Sequence, residues 1–147
     1  IKGGGDGMVG PEYPKGAGFP AAEGWYATIA SPHLLEDPAA KTMIANFKKK
    51  YGTSPDDYAI TAYDAAEVII DAVKRVAATG KPVTREAVRD AIQATKLKTL
   101  QGEVSFDENG DLVSKVISVF KITKDPAHPE DDVEFQYKYM GVAPASS

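Results

Sequence analysis

The sequence predicts an α/β protein. Three observations carry that expectation: a glycine-rich loop that opens directly from what reads as the end of a strand (Ile1 and Lys2), helical patterns between Asp37 and Thr95, and a change to period-two alternation after Thr95. With 147 residues the chain is long enough for one ordinary domain with its own core. A hydrophobic content of 43% and a charged content of 26% belong to a soluble globular chain. Seventeen basic against 21 acidic residues give a net charge of −4, and the basic residues are scattered apart from Lys48 to Lys50, which argues against a nucleic-acid partner. No apolar run reaches spanning length, and the absence of cysteine removes disulfides, thiolate metal ligands and cysteine nucleophiles. The chain opens without an initiator Met or a signal peptide, so it reads as a processed chain or a piece of a longer one.

The first element is the loop GGGDGMVGPEYP, Gly3 to Pro14. Gly5, Gly7 and Gly10 fit the spacing G-x-G-x-x-G, but a dinucleotide fingerprint needs a buried strand before it and a helix opening within it. Only two residues precede this loop, and Pro11 and Pro14 follow. Two readings stay open: a turn whose glycines supply positive φ, or a loop whose glycines bring Asp6 close to a ligand. Next, FPAAEGWYATI becomes strand-like and stops before Ser31 and Pro32. Proline biases the residue before it towards extended geometry, so Ala30 to Pro32 reads as a crossing segment.

Helices follow. In EDPAAKTMIANFKKKYG, Asp37 is placed as N-cap and Pro38 at the first helical position, while Met43, Ile44, Phe47 and Tyr51 repeat at helical spacing up to Gly52. Lys48 to Lys50 complement the dipole of the last turn. SPDDYAITAYDAAEVIIDAVKRVAATG predicts a long helix, with Ser54 and Asp57 spaced as a capping box and Gly80 and Pro82 as the stop. Tyr63, Ala66, Ile70, Val73 and Ala77 line one side, and Ile60, Ala62, Ala65, Ile69 and Val76 widen the apolar surface, so this helix is expected to be buried. Asp71 and Arg75 are spaced to pair. KPVTREAVRDAIQAT predicts a third helix with Thr84 as N-cap and a staple of Val83 with Val88.

After Thr95, GEVSFDENGDLVSKVISVFKIT places Val104 and Phe106 in alternation before the Asn109-Gly110 turn signal. Val116, Ser118, Phe120 and Ile122 then share one strand face. Asp107, Glu108 and Asp111 lack the ligand spacing and distal Glu of a calcium loop, and read as a turn. KDPAHPEDD is a polar connector, and VEFQYKYMG predicts a last strand with Phe135, Tyr137 and Tyr139 on one side. Two histidines are present: His33 beside the crossing and His128 between prolines. Neither falls in a pattern with a Ser or carboxylate that suggests nucleophilic catalysis, so no enzyme, metal site or cofactor is expected.

The order of GGDG loop, AAEGWY strand, FKKKYG helix end, YAITAYDAAEVIIDAV helix, GEVSFDENGDL hairpin and VFKI strand resembles the C-terminal part of the branched-chain amino-acid type (type I) periplasmic binding proteins, the solute receptors of ABC importers. The resemblance runs over nearly the whole chain. It implies part of a bilobed α/β fold with Rossmann-like parallel sheets flanked by helices. Residues 1–29 would form a second-lobe segment carrying the ligand loop, 30–116 a first-lobe segment, and 117–147 the second-lobe return strands.

For function, the resemblance implies an extracytoplasmic solute-binding component of an ABC importer, holding an amino acid, branched-chain by default, between two lobes. Asp6, flanked by Gly5 and Gly7, stands where the family places a carboxylate for the ligand's α-ammonium, and Tyr58 where an aromatic lines the pocket edge. The groups that hold the ligand carboxylate in this family lie outside this sequence. Implied partners are the small-molecule ligand, a membrane permease, and a complementary chain or missing N-terminal part that covers the helices from Asp37 to Thr95. The implied location is periplasmic or extracellular, with a lipid anchor in a single-membrane bacterium. A ligand-sensing domain of a regulator or receptor with the same fold is the alternative, which gene neighbours would discriminate.

Overall fold

The computed structural model describes residues 1–144. The chain forms two compact units: Ile1–His33 together with the chain from Val116 onward, and Leu34–Lys115.

The first unit is built on one four-stranded sheet of order β1-β2-β5-β6, from β1 (Gly3–Gly4), β2 (Tyr26–Ile29), β5 (Ser118–Ile122) and β6 (Tyr137–Val142). β1 and β2 are parallel, while β2–β5 and β5–β6 are antiparallel. The α/β class therefore stands, with a mixed sheet in place of a wholly parallel one. The alternation foreseen for β5 is observed: Ser118, Phe120 and Ile122 are buried, and Val119 and Lys121 are half-buried. Ala22, Ala27, Ile29, Phe120, Ile122 and Tyr137 make the core, with Met8, Tyr13, Trp25 and Tyr139 packed around it. The short helix α1 (Glu12–Ala17) follows the glycine loop.

Before β6 the backbone makes one helical turn, α5 (Val133–Gln136), so Phe135 is not a strand residue. It stacks flat on His128 at 3.4 Å instead. Gln136 causes the change. Its fully buried amide donates to the carbonyls of Asp125 and Pro129 at 3.0 Å and accepts from the Asp125 amide at 2.9 Å, which ties the polar connector to the sheet and satisfies backbone that has no strand partner.

The second unit holds three helices and a hairpin. Asp37 caps a single 3₁₀ turn, Pro38–Ala40, accepting from the Ala39 amide at 2.7 Å, and α2 (Lys41–Tyr51) continues from it. Gly52 ends α2 at φ +73°, a left-handed conformation that only glycine adopts without strain. α3 (Asp57–Ala78) is capped by Asp56, which accepts from the Ala59 amide at 2.8 Å, and not by Ser54. α4 (Arg85–Gln93) starts at Thr84 as foreseen. Arg75 pairs with Asp71 at 2.7 Å and donates to the Ala91 carbonyl and Thr95 hydroxyl, which ties the two helices together.

The buried face of α3 is not the stripe foreseen. Ile60, Asp64, Val68, Ala72 and Val76 face inward, while Tyr63, Ile69, Ile70 and Val73 are 37–53% exposed. Asp64 explains the inversion. Its carboxylate accepts from the amides of Leu100 (3.2 Å) and Gln101 (2.9 Å), so a residue that reads as polar surface is only 1% exposed. Those two amides form the turn of a hairpin between β3 (Lys96–Thr99) and β4 (Gly102–Ser105). The Asn109-Gly110 turn is present as well, but it closes only the bridge between Phe106 and Leu112. Asp107 spends its carboxylate on the amides of Asn109 and Asp111 within that turn.

Candidate functional site

The loop carrying Asp6 is positioned by three features. The parallel register of β1, Gly4 opposite Ala27, carries the chain out of the sheet at the same edge as the end of β2. Asp6–Met8 then form one 3₁₀ turn, closed by the Val9 amide on the Asp6 carbonyl at 2.8 Å. Finally, the Tyr137 hydroxyl of β6 shares its proton between the carbonyls of Met8 (2.5 Å) and Gly10 (3.0 Å), holding the far side of the loop against the sheet. Burial pushes that phenol up to about 12, so the hydroxyl remains a donor throughout the neutral range.

The glycines separate into two kinds. None of Gly3, Gly4, Gly5, Gly7 or Gly10 has positive φ, which removes the left-handed turn as their reason. A methyl group on Gly4 would stand 2.1 Å from Met8 Sδ, so this glycine admits the methionine to the core. A methyl group on Gly5 or Gly7 would meet nothing within 4 Å. Neither backbone conformation nor internal packing requires glycine at those two positions.

Asp6 is exposed, and among the described residues nothing donates to its carboxylate. The edge at which it lies also carries the segment after Ile29 and, because Ser118 stands opposite Ile29, the entry to β5. Outside the carboxyl ends of parallel strands is where open α/β sheets characteristically bind ligands. Asp6, Gly5 and Gly7 are thus brought together in one loop. Tyr58 lies in the other unit, as the second residue of α3; it is 38% exposed, and its carbonyl accepts from the Thr61 hydroxyl at 3.0 Å.

Sequence reasoning missed Tyr137 as the residue that holds the loop, because alternation marked it only as a half-buried sheet aromatic. It also missed His33, whose ring lies 5.2 Å from Phe120 and 4.7 Å from Tyr139. Among the described residues no group of three or more His, Asp or Glu is placed to hold a metal ion, and no helix is long and apolar enough to cross a membrane.

Comparison with known proteins gives a consistent result. The family model described as periplasmic binding protein matches residues 5–127. The leucine-, isoleucine-, valine-, threonine- and alanine-binding protein of Pseudomonas aeruginosa is 33% identical over 111 residues, covering 75% of this chain and 28% of that protein. A leucine binding protein from Thermotoga maritima superposes with a TM-score of 0.72 at 27% identity, over 95% of this chain and 36% of that one. The branched-chain amino acid transporter substrate binding protein of Streptococcus pneumoniae, solved with isoleucine, shares the fold at a TM-score of 0.69 and 21% identity, over 95% of this chain and 35% of that one. This chain therefore spans between about a quarter and two fifths of these relatives. With its family model matched over most of its length and its strands, helices and glycine loop in the order of the solved relatives, the chain belongs to the periplasmic binding protein family.

Proposed function

We propose that this chain supplies part of the solute-binding component of an ABC importer, working outside the cytoplasm and delivering an amino acid to a membrane permease. The observation that carries the ligand class is the Asp6 loop: a carboxylate with no donor among the described residues, at the carboxyl edge of a parallel strand pair, beside two glycines with no internal reason to be glycine. An amino acid taken out of water must exchange the hydration of its ammonium for a partner, since an unpaired buried charge is costly. Asp6 is that partner in this reading, and Gly5 and Gly7 let the ligand approach the backbone. Tyr58 lines the pocket from the second unit. The relatives named for leucine, isoleucine and valine support a branched-chain ligand.

In the same reading Ile1–His33 with the chain from Val116 is a piece of the second lobe, and Leu34–Lys115 a piece of the first. The exposed Tyr63, Ile69, Ile70 and Val73 on α3 support a complementary part, in further sequence or a second chain, that covers them. The chain binds and does not turn its ligand over.

The test is calorimetric titration of the full two-lobe protein with leucine, isoleucine, valine and their deaminated analogues. Breaking one partner of a desolvated charge pair costs about 2–5 kcal/mol, so Asp6→Asn is expected to weaken binding by about 30-fold or more, and Asp6→Glu by less. Unchanged affinity in the Asn variant would remove Asp6 from the site. Equal binding of analogues lacking the amine would mean that the protein reads a carboxylic acid.

A further inference from the structure

We infer that movement between the two units is confined, on the first connection, to the single peptide joining His33 to Leu34, and that His33 is the lock that holds the pivot there. This rests on the two-lobe reading above.

Upstream of the joint the backbone is fastened to the first unit. The Ser118 hydroxyl, fully buried, donates to the Ser31 carbonyl at 2.7 Å. Pro32 fixes its own φ. The His33 imidazole stands edge-on to Phe120 at 83° and tilted over Tyr139 at 30°. Phe120 belongs to β5 and Tyr139 to β6, so residue 33 is gripped by two strands at once.

Downstream the fastening is to the second unit. The Leu34 amide donates to Asp57 Oδ1 at 2.9 Å, a buried bond, and the Leu34 carbonyl accepts from the Asp37 amide at 3.0 Å. The Leu34 side chain is 2% exposed and packs with Ala40 and Ile60. Consecutive residues therefore belong to different rigid bodies. Only ψ of His33 and φ of Leu34 remain to absorb a rotation, and hinges are the few positions that take up such a change.

The second connection is looser. The Val113 amide is held by the Ser105 carbonyl at 3.0 Å, and the Ile117 carbonyl by the Ala143 amide at 2.8 Å. Ser114, Lys115 and Val116 lie between these anchors. One connection is thus a joint and the other a strap, so rotation centres on the His33–Leu34 peptide and not on Ala30 to Pro32, where the proline pattern alone would put it.

Residual dipolar couplings of the deuterated full two-lobe protein test this. The Ala30, Ser31 and His33 amides are expected to fit the alignment tensor of the first unit, and those of Leu34 and Leu35 the tensor of the second. A single tensor for both units, or couplings at residues 30–33 that fit neither, would overturn the pivot. In the double variant His33→Ala with Ser118→Ala, the couplings at positions 31 and 33 should depart from the first unit's tensor; if they remain, His33 is not the lock. Leucine titration of the same samples separates the two inferences. Two tensors divided at 33/34 without leucine binding would sink the proposed ligand and leave the pivot. Leucine binding without that division would do the reverse.

Discussion

Tyr137→Phe removes one hydroxyl and nothing else, which makes it the cleanest probe of how the fold presents the Asp6 loop. The ring is 5% exposed and packs with Ile122 and Ala27, so its replacement keeps the core volume. What is lost is the proton shared between Met8 and Gly10 at 2.5 and 3.0 Å. A net hydrogen bond contributes about 1 kcal/mol, and leaving two carbonyls to find water raises the expected cost to about 1–2 kcal/mol. The loop has its own reporters: the Met8 amide is bonded to the Gly5 carbonyl at 3.1 Å and the Val9 amide to that of Asp6 at 2.8 Å. If Tyr137 holds the loop, exchange at these two amides should accelerate by about 5- to 30-fold, the equivalent of that free energy.

The pH dependence gives a second reading of the same bond. Burial raises the phenol from 10.0 to about 12, so the unfolded chain loses this proton first. The stabilisation is complete below pH 10 and is lost as pH rises through about 12. The difference between wild type and Tyr137→Phe in urea unfolding should therefore shrink across that window. Unchanged exchange at Met8 and Val9, with a stability difference independent of pH, would refute the reasoning.

Two further substitutions follow from buried contacts and from space. Asp64→Ala leaves the amides of Leu100 and Gln101 without an acceptor at a site 1% exposed, and should cost about 2–4 kcal/mol in urea unfolding, with Asp64→Asn milder because one acceptor survives. Gly4→Ala forces Met8 from its seat, since the new methyl would stand 2.1 Å from its sulfur, and should lower the unfolding midpoint. Gly7→Ala has open space and no positive φ, so stability should hold or rise by about 0.4–1 kcal/mol while leucine affinity measured by calorimetry falls. A loss of stability without a loss of affinity in that variant would point to a structural glycine.

How much could be read in advance depended on where the deciding interaction lay. Caps and stops are local, so Asp37, Thr84 and Gly52 were legible from a few neighbours. The capping box was misplaced by two residues because Ser54, Asp56 and Asp57 are all competent caps; Asp57 is instead drawn inward by the Leu34 amide, 23 positions away. The inward face of α3 was hidden for the same kind of reason. Apolar residues surround that helix, and the one polar residue that fixes its orientation, Asp64, is answered by amides from Leu100 and Gln101. β3 escaped notice because Lys96 and Lys98 alternate with only Leu97 and Thr99, a weak signal for a strand. Asp6 was legible as a candidate from the glycines around it, but that Gly4 and Gly7 differ in kind required Met8 to be seen in place.

The first unit is assembled from two stretches of sequence with the whole of Leu34–Lys115 between them. On a ribosome this imposes an order of events. β2 emerges early, yet the edge that β5 will occupy stays unpaired until synthesis has passed Lys115, because Ala27 and Ile29 find Phe120 and Ser118 only then. An open strand edge invites pairing with other chains. β2 limits the exposure by being four residues long, and the intervening segment can close its own short-range contacts while the strand waits. Nascent chains halted before Ser118 should for that reason be the species most in need of a holding chaperone, while the Asp6 loop, whose far side hangs on Tyr137, is among the last parts to take shape.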